Sequence, residues 1–330
     1  MPPPVRRKLL VSAWIVLALV LVLAETALAG NGGIAPVEPH SPNAGRIRDA
    51  YWLVLGITGG IFILVEASLL LFVVRFRSRG RGREIEGPQI RGHHRLELIW
   101  TAIPVVLLAA TASFVFYKLP GIDNAPSAEA AGAHLKVRVE GRQFYWRFVY
   151  PNGAVAVNEL RVPAGRVVDL YITAPANDVA HSWWIPSLGG KMDAIPGRVN
   201  HTWFQTPARP AEYRGQCAEF CGVQHALMLA RVRSLPPADF ESWLAAQVAR
   251  PITLGEQTFA GACAPCHGDR GEGLIGPALE KVRGTLDDRA KLEQLLRNGK
   301  GAMPTVGRGW DDRQLNALAA YLKKTKFSGG

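Results

Sequence analysis

A chain of 330 residues that is 48% hydrophobic and 20% charged is too apolar for a disordered polypeptide, and its length suits two or three folded units. Its 34 glycines and 23 prolines follow no Gly-x-y period, which excludes collagen. The net charge of +11 points first to nucleic acid or a membrane surface, but the excess is front-loaded: residues 1–119 carry 13 Lys and Arg against 7 Asp and Glu, residues 120–330 carry 25 against 20.

Arg6, Arg7 and Lys8 precede an apolar run from Leu9 to about Ala24, and Ala27-Leu28-Ala29-Gly30 follows. This is the layout of a secretory signal peptide over residues 1–29, cleaved after Ala29. An uncleaved anchor helix is the alternative; Glu25 shortens the apolar run and favours cleavage. Two further apolar segments lie at about 51–74 and 98–117. At 1.5 Å per residue each is roughly 30 Å long, enough to cross a hydrocarbon core. The loop between them, 75–97, holds Arg75, Arg77, Arg79, Arg81, Arg83, Arg91 and Arg95, and the positive-inside rule makes it cytoplasmic. That context turns the basic run from a nucleic-acid arm into a topology signal. Residues 30–119 then form a transmembrane hairpin with its remaining chain outside. Pro104 falls within the second span, where neighbouring helices make a kink tolerable. Glu66, ionisable and within the first span, is expected to face protein.

Residues 120–236 change character. A low-complexity linker, Asn124 to Gly132, leads to short segments of strand pattern: Leu135–Val139 alternates with period two, and Phe144–Tyr150, Arg166–Thr173 and Val199–Thr206 are β-prone. Pro151-Asn152-Gly153 and Pro163-Ala164-Gly165 supply turns, so a β-sandwich or barrel is expected. Within it, Cys217, Cys221, His225 and Met228 fall inside twelve residues. Thiolate and thioether are soft ligands and imidazole is borderline, a set that favours copper. A Cys-x3-Cys disulfide would suit the oxidising side of a membrane but gives no reason for His225 and Met228 on the same loop. Zinc has no use for the thioether. A second imidazole must come from elsewhere, and His181 is the best candidate.

With Gln143-Phe144-Tyr145-Trp146, His181-Ser182-Trp183, Lys191-Met192-Asp193-Ala194-Ile195-Pro196-Gly197-Arg198, the Cys217–Met228 loop and the two-span hairpin, residues 45–235 resemble subunit II of the heme–copper cytochrome c oxidases. The resemblance implies a cupredoxin fold around the binuclear copper centre CuA. Cys217 and Cys221 would bridge two copper ions, His181 and His225 would bind one each, and Met228 and the Glu219 carbonyl would be weak ligands. The Glu219 side chain would reach a magnesium ion shared with subunit I, and Asp193 and Arg198 would lie near that interface. Glu97 corresponds to a residue at the mouth of a proton channel; a solvated interfacial carboxylate is the plainer alternative. The family's electron-entry Trp is replaced here by Phe144, with Trp146 two residues on, which leaves the entry residue open between them.

The remainder, 237–330, is helical in pattern. Phe240, Trp243, Leu244 and Val248 mark a linker helix, and Cys263-Ala264-Pro265-Cys266-His267 follows. Two thiols at this spacing reach the two vinyl groups of a heme, and the adjacent His267 supplies an axial ligand. A thioredoxin-like pair would not require the histidine. Met303 is the only Met after the motif and no His follows His267, so Met303 is the second ligand if the iron is six-coordinate. Gly276-Pro277, Gly301-Ala302-Met303-Pro304 and a final helix resemble class I cytochromes c. Asp311 with Gln314 has the form of a cap for that helix, and Leu315, Leu318, Ala319 and Leu322 make its apolar face.

The expected protein is thus multi-domain: a transmembrane hairpin, an all-β cupredoxin domain and an all-α cytochrome c domain. The resemblance implies subunit II of a caa-type oxidase in a bacterial inner membrane, with both outer domains extracytoplasmic. It also implies subunits I and III as partners, and a cytochrome c or bc-type complex as donor. No nucleic-acid role remains. The alternatives are the entry subunit of a nitric oxide reductase or other terminal reductase, a copper chaperone, and a standalone membrane-anchored shuttle.

Overall fold

The computed structural model describes residues 36–77, 89 and 91–327. The expected leader, residues 1–29, and Arg79, Arg81 and Arg83 of the basic loop lie outside the described residues. The chain divides into a helical unit, residues 45–123, and a second compact unit that holds everything from residue 124 onward.

The helical unit consists of α1 (Pro42–Phe76) and α2 (His94–Lys118). Both are longer than the apolar segments that signal them, because the helices continue into their polar flanks. Along α1, Phe62, Ile63, Leu64, Leu70 and Val73 are exposed, and along α2 Leu98, Val106, Leu108 and Phe116 are. A helix that is apolar all round and uncovered by its own chain is suited to lipid. α2 runs unbroken through Pro104. Its start is capped reciprocally: His93 Nδ1 accepts from the Leu96 N–H at 3.2 Å, and the Glu97 carboxylate accepts from the His93 N–H at 3.1 Å. At the other end Lys118 pairs with Asp49 at 2.7 Å and Arg46 donates to the Gly121 carbonyl at 2.6 Å.

Among the described residues of the second unit, ten strands form two five-stranded sheets. They are β1 (Leu135–Arg142), β2 (Tyr145–Val149), β3 (Val155–Val157), β4 (Glu159–Pro163), β5 (Val167–Thr173), β6 (His181–Trp184), β7 (Met192–Ala194), β8 (Asn200–Gln205), β9 (Ala211–Cys217) and β10 (Leu229–Leu235). One sheet has the order β3-β2-β1-β5-β8, the other β4-β10-β9-β6-β7. The period-two pattern of β1 is realised directly: Leu135, Val137 and Val139 are buried while Lys136 and Arg138 are exposed. Trp146, Phe148, Leu160, Leu170, Ile172 and Trp183 fill the space between the sheets. Trp183 meets Trp146 and Phe148 edge-on, at 5.2 and 5.4 Å between ring centroids.

The next helix, α3 (Pro237–Ala249), belongs by packing to this sandwich rather than to the tail. Phe240 is buried in the sandwich core, Trp243 meets Tyr150 at 5.2 Å, and the Arg161 guanidinium lies over the Trp243 ring. The tail domain begins after it with α4 (Leu254–Thr258), a π-helical turn at Phe259–Cys263, and α5 (Ala264–His267). Two longer helices follow, α6 (Arg289–Asn298) and α7 (Asp312–Lys324). Leu315, Leu318 and Leu322 of α7 are buried as their spacing requires, with Ala319 partly so. Gly255 lets α4 approach α7 so closely that a side chain there would collide with the backbone of Ala317. The Asp311 side chain accepts from the Gln314 N–H at 2.8 Å. Gln314 does not complete a capping box, because its amide turns instead to Tyr145 and Thr258.

Candidate metal centre and heme site

Strand register assembles the first site. β9 and β10 are antiparallel, with Gln216 opposite Leu229, so the stretch from Cys217 to Met228 is the loop of a hairpin. The Cys217 N–H donates to the Met228 carbonyl at 2.9 Å and closes that loop at its base. β6 pairs with β9 so that Trp183 faces Cys217, which brings His181, two residues earlier in the strand, beside the loop. The result is a cluster of His181, Cys217 and Cys221 whose ligand atoms lie within 4.8 Å of one another, all three residues buried.

The other residues expected there join it. Cys221 Sγ is 3.5 Å from His225 Nδ1 and 3.8 Å from Met228 Sδ. Cys217 Sγ is 3.2 Å from the Glu219 carbonyl and 4.0 Å from His181 Nδ1. The four cysteines of the chain are free thiols. Two imidazoles, a thioether and a carbonyl therefore gather around the two buried sulfurs, and this donor set fits copper. The Glu219 side chain is exposed, free to reach outward.

The two thiols behave as one titrating unit. A hydrogen bond from Cys221 lowers the Cys217 thiol, with His181 adding to the effect, while Cys221, which holds the shared proton, is raised. Burial pushes the His181 imidazole down, but hydrogen bonds to Asp178 and Cys217 outweigh it and leave it raised.

Residues missed from the sequence surround this cluster. Asp178 Oδ1 faces His181 Nε2 at 3.2 Å, so a proton on Nε2 leaves the Nδ1 lone pair directed at the sulfurs. Its other oxygen accepts from the Gln143 N–H at 3.2 Å. The Gln143 side chain donates to the Cys221 carbonyl at 2.5 Å. Gly141 has no room for a side chain, since a Cβ there would sit 2.9 Å from that of His181. The i,i+3 spacing of Asp178 and His181 is the one signal in the sequence, and it reads as a carboxylate supporting the far side of the imidazole only once the strand is known.

The candidate entry residues Phe144 and Trp146 are both buried. Trp146 lies edge-on to His181, 6.2 Å between ring centroids. Between them in sequence, Tyr145 turns outward from the sandwich and is covered by the tail domain. Glu97 sits far off in sequence at the start of α2, where it caps the helix and lies 3.6 Å from His94. Arg198 is exposed, and Asp193 sits in β7 opposite Ser182.

The second site is a cavity of about 580 Å3 in the tail domain, lined by Cys263, Cys266, His267 and Met303 with Leu279, Leu296 and Leu318. His267 Nδ1 is 2.8 Å from the Pro277 carbonyl, so Nδ1 carries the ring proton and Nε2 is left as a ligand. Gly276 makes this possible: a Cβ there would lie 2.7 Å from His267 Cε1. Burial, with the Cys266 charge second, pushes the Cys263 thiol up to about 12. An apolar cavity with two thiols, an oriented imidazole and a thioether in its wall fits a heme.

Comparison with known proteins follows the same division. Residues 37–117 match the family described as cytochrome c oxidase subunit II, transmembrane domain, and residues 153–235 that subunit's periplasmic domain. Residues 250–322 match the family described as cytochrome c oxidase, cbb3-type, subunit III. A cytochrome c oxidase subunit 2 of Alkalihalophilus pseudofirmus is 31% identical, covering 93% of this chain and 95% of its own. That of a Synechocystis species is 30% identical over 74% of this chain and 87% of its own. That of Bacillus sp. strain PS3 is 32% identical over 76% and 80%.

Proposed function

The chain belongs to the cytochrome c oxidase subunit II family, with a cytochrome c domain at its C-terminal end, and we propose that it is the electron-entry subunit of a caa-type respiratory oxidase. In this reading electrons arrive at heme c, pass to CuA and leave to heme a of subunit I, where oxygen is reduced. The heme would supply a one-electron iron couple and the copper pair a one-electron binuclear couple.

The chain's own residues do the holding and orienting. Cys217, Cys221, His181, His225, Met228 and the Glu219 carbonyl would hold the copper, and Asp178 would fix the His181 tautomer. Because these ligands stand on a closed hairpin and a paired strand, the site is rigid, and rigidity keeps reorganisation on electron transfer small. Cys263 and Cys266 would hold the heme, and His267 and Met303 would bind its iron. The Glu219 carboxylate, which is exposed, would meet magnesium at a subunit I interface, and subunit III would complete the complex. Glu66 is exposed along α1 within this chain, so the protein it is expected to face belongs to a partner. Glu97 would serve the mouth of a proton channel in subunit I. Both outer domains would lie on the extracytoplasmic side, opposite the basic loop.

The observation that carries this reading is the gathering of two imidazoles, a thioether and a carbonyl around two buried sulfurs in a chain that also bears a Cys-x2-Cys-His cavity. Metal and heme stoichiometry with an electron paramagnetic resonance spectrum of the purified protein tests it. Two coppers sharing one unpaired electron, with one covalent heme, are expected. Heme absorbance with no more than one copper would overturn it.

A further inference from the structure

The cavity lined by Cys263, Cys266, His267 and Met303 is built from the tail domain at every point but one: Gln224, from the copper loop of the sandwich, forms part of its wall. Gln224 is 6% exposed, and its carboxamide makes no hydrogen bond among the described residues. It is joined by a single peptide bond to His225, whose ring faces Cys221. Its backbone is held in place, since the Gln224 carbonyl accepts from the Leu227 N–H at 2.9 Å and the His225 N–H donates to Gly222 at 3.0 Å.

The tail domain is seated on the sandwich by contacts apart from Gln224. Arg147 Nε donates to Gln257 at 2.8 Å, and the Gln314 amide reaches the Tyr145 hydroxyl at 3.4 Å. Gly261, two residues before Cys263, packs so closely on the Tyr145 ring that a Cβ would overlap it. Tyr145 has no exposed surface. Phe144 and Trp146 are also buried, and neither lines the cavity.

We propose that Gln224 is the residue through which the copper loop touches the heme, and that electrons cross by Gln224 and His225 rather than by Phe144 or Trp146. This rests on the assignment of the two centres given above. Electronic coupling falls steeply across gaps and less steeply along bonds, and from the Gln224 side chain to the His225 ring the path is bonded throughout. The unused amide donors suit the carboxylate acceptors at a heme's rim. The step moves one electron and no proton: iron goes from ferrous to ferric, the copper pair takes up the electron, and no bond forms or breaks.

The test uses the full chain with both centres loaded and flash reduction of the heme. Gln224→Ala is expected to slow the following electron transfer to copper about tenfold, with heme absorbance and the copper resonance unchanged. Gln224→Glu keeps the volume and adds a negative charge, so it is expected to favour ferric heme about tenfold, a fall of about 59 mV in midpoint potential. The second variant decides the matter if the first loads copper poorly. A rate and a potential both unchanged, with both centres present, overturn the proposal. Absence of the copper pair or of covalent heme from the unsubstituted chain overturns the earlier assignment instead.

Discussion

Replacing Asp178 with Leu is expected to weaken copper binding while leaving every ligand in place. The Asp178 carboxylate accepts three N–H groups: His181 Nε2 at 3.2 Å, the Val179 N–H at 2.8 Å and the Gln143 N–H at 3.2 Å. Leucine has a similar branched shape and offers no acceptor at all. The His181 N–H, on a residue with no exposed surface, then loses its acceptor. A buried donor left unpaired costs about 1–3 kcal/mol. Without metal the imidazole can change tautomer and escape that cost; with metal on Nδ1 it cannot. The penalty therefore falls on the loaded state, and at 1.4 kcal/mol per decade it corresponds to roughly a 10- to 100-fold loss of affinity. Competition titration against a copper chelator of known affinity measures it, and electron paramagnetic resonance at saturating copper confirms that the ligand set is unaltered. An affinity within about twofold of the parent, with normal folding, would refute the role given to Asp178.

Gly261→Ala places a methyl group against the buried Tyr145 ring and is expected to cost about 1–3 kcal/mol, read as a lower midpoint in urea unfolding of the full chain. Gly276→Ala pushes on the His267 ring and is expected to convert a low-spin heme to a high-spin spectrum, with the copper resonance unchanged. Glu140 gives a pH dependence. Burial raises its pKa, but the guanidiniums of Arg147 and Arg142, at 3.0 and 2.9 Å, outweigh this and hold the carboxyl below its ordinary 4.5. A depressed carboxyl contributes stability that is present above 4.5 and lost as pH falls through the lower folded value. Urea midpoints measured downward from neutral pH are expected to drop more steeply for the parent than for Glu140→Gln; equal slopes would contradict this.

What the sequence reveals depends on how local the chemistry is. Cys263, Cys266 and His267 are legible because the proposed heme attachment needs them within five residues, and the Cys217–Met228 loop is legible because one hairpin carries most of the proposed copper ligands. Asp178, Gln143 and Gln224 are not, since their roles follow from which strands pair and which domain covers which face. The same holds for α3. Its apolar stripe was visible, but a stripe does not say what covers it, and Phe240 turns out to enter the sandwich core. Gln314 shows the limit most clearly. Its position promises a capping box, and the Asp311 half forms, yet its side chain leaves the helix end to bond Tyr145 and Thr258. A local preference worth a fraction of a kcal/mol yields to a buried contact between domains.

The charge that first suggested nucleic acid bears on this contact as well. Residues 120–250 carry 13 basic against 11 acidic side chains, and residues 251–330 carry 12 against 9, so both domains are weakly positive. Net attraction cannot seat one upon the other, in contrast to partners that meet by diffusion and rely on opposite fields. The interface is made instead of short-range fit: Tyr145 against Gly261, Arg147 on Gln257, and Gln314 on Tyr145. Covalent linkage supplies the encounter frequency that charge would otherwise provide. A contact held by fit and by linkage needs no charge at its centre, and the residue of the copper loop that lines the tail cavity, Gln224, is uncharged.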